Sequence, residues 1–229
     1  MKQVIVAPNS RRLLNSTIAR PLNSVVSRPN MHLLARHVLA AILAISLVLA
    51  GCASTTVEAT GTPLTQPLCV PGTPPVPTVV YWGPQWRANQ KEAPLREAAA
   101  ERGIQDFLSR SNCLAVAGLH RLTVGAPAPS DEELFRQAAS VSPPPERVVL
   151  IIVRELGPRF VVGLPVLVEG GTEVLMEVRV LNTRTSQLVA NTGTLWRNGG
   201  PFVIKGVKTL EQDMSAALSA TLMPNLPAK

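Results

Sequence analysis

Apolar residues along this chain come in blocks of different period, and the period of each block predicts an element. Thr78 to Trp82 is a short β-branched and aromatic run, read as a strand. Pro94 suits the first turn of a helix and opens an Ala-rich stretch to about Arg110. Cys113 to Val124 predicts a second strand, with Gly118 at a bulge. Ser130 and Glu133 spell a capping box that opens a short helix ending near Ser140, ahead of Pro143-Pro144-Pro145. Arg147 to Val153 (RVVLIIV) is apolar without alternation, as a strand covered on both faces must be. From Glu173 to Leu181 the pattern alternates. Val174, Met176, Val178 and Val180 share one face, while Glu177 and Arg179 lie on the other, which predicts a strand with one wet face. Asn182 to Ser186 joins it as a hairpin to Gln187 to Trp196. Thr209 and Gln212 make a second capping-box pattern before a closing helix with Met214, Ala217, Leu218 and Leu222 on one stripe, stopping before Pro224.

The order β-α-β-α-β-β-β-α predicts an α/β (α+β) sandwich, a mixed sheet with helices largely on one face. Residues 78–229 supply one domain of 152 residues for it, a length at which about 68–70% of the unfolded surface is buried. Ahead of it, residues 52–77 carry six Pro and six Thr with neither period, and predict a tether. In a polyproline-like form the 25 residues 53–77 would reach about 78 Å at about 3.1 Å per residue. That length would hold the domain well clear of any surface to which residue 52 is fixed.

Upstream of the tether, Met31 to Cys52 reads MHLLARHVLAAILAISLVLAGC. Arg36 and His37 precede thirteen apolar or small residues, Val38 to Ala50. This is the three-part form of an export signal. A membrane-spanning helix is the alternative, but Val38 to Ala53 makes about 24 Å at about 1.5 Å per residue, short of the roughly 30 Å hydrocarbon core. Residues 1–30 are Arg-, Ser- and Asn-rich without an apolar stripe and add nothing that such a signal uses, so Met31 is the expected start and 1–30 a dispensable extension.

These boundaries change the meaning of the net charge of +7. Six of the 22 basic residues and no acid fall in residues 1–51, leaving 16 basic against 15 acidic residues from position 52 onward. A near-neutral remainder removes the electrostatic case for nucleic acid as a partner.

Little catalytic chemistry is spelled out. His120 is the one histidine after position 52, and neither C-x-x-C nor H-x-x-x-H occurs, so no catalytic residue, metal set or cofactor is assigned. Gly200 to Gly206 has glycines and Lys205 but not the phosphate-loop spacing and reads as a flexible loop. Cys69 and Cys113 are expected to pair, because an exported compartment is oxidising. Two features are candidates for partner contact. Tyr81, Trp82 and Trp86 place three of eight aromatics within six residues, rings that either stack on sugars or peptides or cover an edge of the core, packing being the commoner use. Phe160 to Val168, with Phe160, Leu164 and Leu167, holds seven large apolar side chains where a connection should be polar; it reads either as a flap that contacts a partner or a membrane or as a hairpin arm that folds under the domain, with Gly163 and Pro165 against a regular central strand. The competing expectation is an enzyme acting on cell-wall glycan through Glu169 and Glu173 beside a Gly170-Gly171 turn.

Leu49-Ala50-Gly51-Cys52 after the apolar run, followed by Ala53, resembles the lipobox of bacterial lipoproteins. The resemblance implies cleavage before Cys52, acylation of Cys52 as membrane anchor, and, with Ala53 in place of an Asp, an outer-membrane location with the domain in the periplasm. Joined to this, the element order over residues 78–223 resembles the periplasmic domains of curli-secretion-type lipoproteins and the amino-terminal domain of the Tol translocation protein. It implies a non-catalytic binding or assembly module, with another envelope protein or a second copy as partner, and carries over no functional residue. If translation starts at Met31, Met31→Ala should abolish the mature protein on an immunoblot; a normal level from that variant would show Met1 to be the working start.

Overall fold

The computed structural model describes residues 53–163 and 167–225. The signal segment, Cys52 and Leu164 lie outside them. In chain order the elements are β1 (Ser54–Thr62), β2 (Val76–Pro84), α1 (Ala93–Ser111), β3 (Leu114–Arg121), α2 (Asp131–Ala139), β4 (Arg147–Gly163), β5 (Leu167–Asn182), β6 (Gln187–Pro201), a 3₁₀ turn (Val207–Thr209) and α3 (Leu210–Leu222). The six strands form one mixed sheet in the order β1-β6-β5-β4-β2-β3, so the fold is the α/β sandwich that the sequence predicts.

The sheet order explains where the helices lie. β2 is parallel to both β3 and β4, so the β2-α1-β3 and β3-α2-β4 connections cross the sheet in opposite directions. Parallel crossovers are right-handed in almost all proteins, and two opposite crossings therefore put their helices on opposite faces. On the first face, Ala100, Ile104 and Phe107 of α1 and Met214, Ala217 and Leu218 of α3 pack against Val149, Ile151, Val153 and the Val174, Met176, Val178, Val180 stripe. On the second, Leu134 and Ala138 of α2 cover Val79, Tyr81, Val148, Leu150 and Ile152. The unbroken apolar run of β4 is thus buried on both sides. Each buried Ile or Leu there is worth about 1.5–3 kcal/mol relative to exposure.

Local signals act mostly as expected. Ser130 Oγ accepts from the Glu133 N–H at 3.2 Å and caps α2, whereas the Glu133 carboxylate turns to Gln137 instead of closing the box. Thr78 pairs with Val116 and Val79 with Gly118, so the bulge falls at Ala117, beside the predicted glycine. Asn182 accepts from the Arg184 N–H at 3.0 Å and closes the β5-β6 hairpin. Thr209 does not cap α3 through Gln212; its hydroxyl donates to Asp213 at 2.7 Å, the carboxylate that Lys205 also holds at 3.0 Å.

Three expectations are corrected. Residues 53–77 are not a free tether: Ser54 to Thr62 adds antiparallel to β6, from Ser54↔Gly199 to Thr62↔Asn191. Leu68 and Cys69 are buried in the core, and Leu68 N–H donates to the Leu222 carbonyl at 2.8 Å. Composition hides this because every side chain of β1 is exposed, leaving no alternation to read; the main-chain ladder to β6 fixes it, helped by surface contacts such as Asn198 to Thr55 and Arg197 to Glu58. Phe160 to Gly163 and Leu167 onward are the hairpin arm of the second reading, the far ends of β4 and β5 paired through Gly163↔Leu167, but the arm does not fold under the domain, since Phe160 and Val162 are exposed. Gly170-Gly171 is not a turn either; both residues lie inside β5, paired with Phe160 and Arg159.

The expected disulfide is present. Cys69 and Cys113 are bonded, with Cα atoms 5.7 Å apart and a sequence separation of 44, fastening the segment after β1 to the start of β3. Closing a loop of that length restricts the unfolded chain by about 4 kcal/mol. Cys69→Ala with Cys113→Ala should lose about that much stability in denaturant unfolding, and a loss below about 1 kcal/mol would show that the buried Leu68 contact alone holds the segment.

Candidate functional site

The β4-β5 hairpin overshoots both neighbours. β2 stops at Pro84↔Val153, and β6 stops at Pro201↔Glu169, while β4 runs on to Gly163. A clasp holds the base of the overshoot where β4 loses its neighbour. Arg96 of α1 donates to Glu155 at 2.8 Å and to the Leu156 carbonyl at 2.6 Å, and Arg87 and Gln90 reach the same carboxylate at 2.6 and 3.0 Å. Gly157 is required there, because a Cβ would run into the Arg96 guanidinium. Removing Arg96 would take from Glu155 the cation that is buried with it, leaving only the exposed Arg87 to balance its charge.

Beyond the clasp, strand alternation sorts the side chains. Leu156, whose pair is Val174, faces the α1/α3 side. Pro158, Phe160 and Val162 follow it on that face, past the point where helices cover the sheet. Phe160 is 61% exposed and Val162 is 62% exposed. Past Pro201 the chain folds back over the same face. Phe202 N–H donates to the Val168 carbonyl at 2.8 Å, and Gly170 leaves room for the Val203 carbonyl, into which a Cβ would run. This places Phe202, 69% exposed, and Ile204, 84% exposed, at the same end.

The opposite face of this end is charged. Arg197 donates to Glu173 at 2.9 Å and to Glu58 at 3.2 Å, and Arg159 lies 3.9 Å from Glu169. The Glu173 hydrogen bond holds the Arg197 guanidinium pKa above its ordinary value, with Glu58 and Glu169 acting the same way against partial desolvation. Between these groups lies a cleft of about 70 Å³. Glu169 and Glu173 are four residues apart on one strand, about 13 Å at about 3.3 Å per residue, and each is drawn to a different arginine. Two carboxylates committed in this way do not form the pair, about 5–9 Å apart, that glycoside hydrolysis uses.

The sequence-derived candidates fall in different places. Tyr81 and Trp82 are 6% and 1% exposed, on opposite faces of β2, and neither ring can meet a partner. Burial also pushes the Tyr81 phenol pKa up. Trp86 is half-buried and donates to Glu97 at 3.2 Å. An aromatic pair at adjacent positions of a central strand must point to both sides, so the three rings form no platform. His120 is exposed and stacks on Tyr81 with ring centroids 5.2 Å apart. Among the described residues no group of three His, Cys, Asp or Glu is arranged to hold a metal. Phe160 stands at the exposed end; Leu167 opens β5 there. Sequence reasoning missed Phe202 and Ile204. The signal was available, two large apolar residues inside a glycine-rich loop, a place where polar residues are usual.

A second concavity, an open groove of about 530 Å³ beside the free edge of β3, is lined by Leu108, Leu114, Val116 and Leu119 together with uncharged polar side chains. It brings no ionisable groups together.

No protein-family profile matches this chain. No curated protein sequence matches it either. Solved structures do show likeness. The PelC dodecamer from Paraburkholderia phytofirmans is 14% identical with a TM-score of 0.41, over 75% of this chain and 100% of that one. Lipoprotein GNA1162 from Neisseria meningitidis is 12% identical with a TM-score of 0.31, over 62% and 96%. A minor lipoprotein from Acinetobacter baumannii is 12% identical with a TM-score of 0.28, over 63% and 95%. These are partial likenesses of chain path, with no residue correspondence.

Exposure separates the apolar end from the core energetically. Ser at Phe160, Val162, Phe202 or Ile204 should change stability by no more than about 0.5 kcal/mol, whereas Trp82→Ala should cost about 3–5 kcal/mol. Thermal melts of the five variants check this, and a large loss at Val162 or Ile204 would place those side chains in the core.

Proposed function

We propose that this chain is a lipid-anchored lipoprotein of the cell envelope, fixed to the outer membrane by acylated Cys52 and acting in the periplasm by contact and not by catalysis. The observation that carries the reading is Leu49-Ala50-Gly51-Cys52, which closes an apolar run too short to span a bilayer. Among the described residues no helix is long and apolar enough to cross a membrane. Several acyl chains at about 0.8 kcal/mol per buried CH₂ make such an anchor firm. Contact as the mode of action is supported by the site: its carboxylates are held by arginines, while its apolar side chains at the β4-β5 end remain uncovered. Another envelope component or a second copy of the chain is the class of partner that this reading gives to that end.

Palmitate labelling of wild type and Cys52→Ser tests the anchor. Label should enter the wild type alone, and the variant should leave the membrane fraction. Equal labelling of the two would overturn the reading.

A further inference from the structure

The geometry points to a lipid surface as what covers the apolar end: we infer that the Phe160–Val162 end of β4 and the Phe202–Ile204 loop rest on the same bilayer that holds Cys52. This deepens the anchor reading and rests on it. The evidence for the occupant is where the anchored chain enters the sheet. Ser54 stands in one row with Gly199, Gly171 and Arg159 across β1, β6, β5 and β4. The next row outward on β4 begins with Phe160. Cys52 is joined to Ser54 through Ala53 alone, and two residues span at most about 7 Å. An acyl chain on Cys52 therefore leaves the protein from the end of the sheet that carries Phe160, Val162, Phe202 and Ile204. Had residues 53–77 been a free tether, the domain would have stood far from the headgroups. With β1 paired from Ser54 it has no such slack.

The two faces of this end differ in the way a surface-lying element requires. Phe160, Val162 and the returning loop give an apolar face, while the Arg197, Glu173, Glu58, Arg159 and Glu169 network occupies the reverse. The reverse face can stay in water with its charges paired while the apolar face enters the headgroup boundary, the division seen in interfacial amphipathic segments. Phe160 and Val162 suit shallow insertion only: past Val153 the outer edge of β4 has no neighbouring strand, and its unpaired backbone groups must stay at headgroup level, where water can satisfy them.

Full-length protein, acylated in cells, purified and reconstituted in phosphatidylethanolamine/phosphatidylglycerol (3:1) vesicles, provides the test. Cys69 and Cys113 are bonded and Cys52 is acylated in that preparation, so Val162→Cys, Ile204→Cys and, at the opposite end of the sheet, Val189→Cys each take one environment-sensitive fluorophore. Nitroxide-bearing lipid should quench the label at positions 162 and 204 at least twofold and leave position 189 unquenched. Equal, weak quenching at all three positions would overturn the inference. So would a blue-shifted label at 162 and 204 that nitroxide lipid does not quench, since that is the result expected of a second copy or another protein covering the patch. Intact mass of the same preparation separates the two levels. Acyl chains present with water-exposed labels defeat bilayer docking and leave the anchor standing, while an unacylated Cys52 defeats both.

Discussion

A strand made only of large apolar residues needs cover on both faces, and β4 imposes that requirement on the whole chain. Val148 to Val153 can lie only in the middle of a sheet with helices above and below. The parallel neighbour β2 and two crossovers of opposite direction supply the cover, α1 on one side and α2 on the other. α3 completes the α1 side, where it packs over the alternating stripe of β5. The antiparallel half of the sheet needs helical cover on one face only, because Glu173, Glu177 and Arg179 keep its other face polar. β4 therefore joins a parallel half that is buried on both faces to an antiparallel half that is half wet.

The same strand generates the candidate site by outlasting its neighbours. Inside the core its side chains are fixed by packing, down to Leu156; from Pro158 onward the strand is no longer buried, and alternation continues with little to pack against. The Arg96–Glu155 clasp marks the transition. A carboxylate and a guanidinium that are both buried are costly unless well paired, and here the guanidinium also satisfies the Leu156 carbonyl on the free edge of β4. The clasp thus ends the core at a defined residue. What lies outside it, apolar on one face and charge-paired on the other, is surface by construction.

Sequence pattern was a good guide wherever burial imposed a period. The β4 run, the β5 alternation, the α3 stripe and the Ser130 cap all appear at their expected positions because each records a contact with the core or the backbone. Two kinds of feature carried no such record. β1 buries no side chain, so its Thr-rich sequence has the composition of a linker, and only pairing with β6 makes it a strand. Adjacent aromatics such as Tyr81 and Trp82 signal a recognition surface in a loop but two separate core positions in a strand, and composition alone cannot distinguish them. The exposed end was half legible: Phe160 belonged to a conspicuous apolar run, whereas Phe202 and Ile204 stood in a stretch whose glycines drew attention to flexibility.

β1 also makes the domain's attachment extensible in a bounded way. Since the strand is held by its hydrogen-bond ladder and not by packing, it is among the least stable elements of the sheet. Were a load on the lipid end to peel it away, the freed chain would run from Cys52 through the segment ahead of the core until it reached Cys69. That is seventeen residues, or about 60 Å at full extension. There the load would meet the covalent link to Cys113, so force applied from the membrane would pass into the start of β3 and stop. The disulfide would then act as a strain-relief, setting the longest distance the domain can travel from its anchor without any helix or inner strand coming undone.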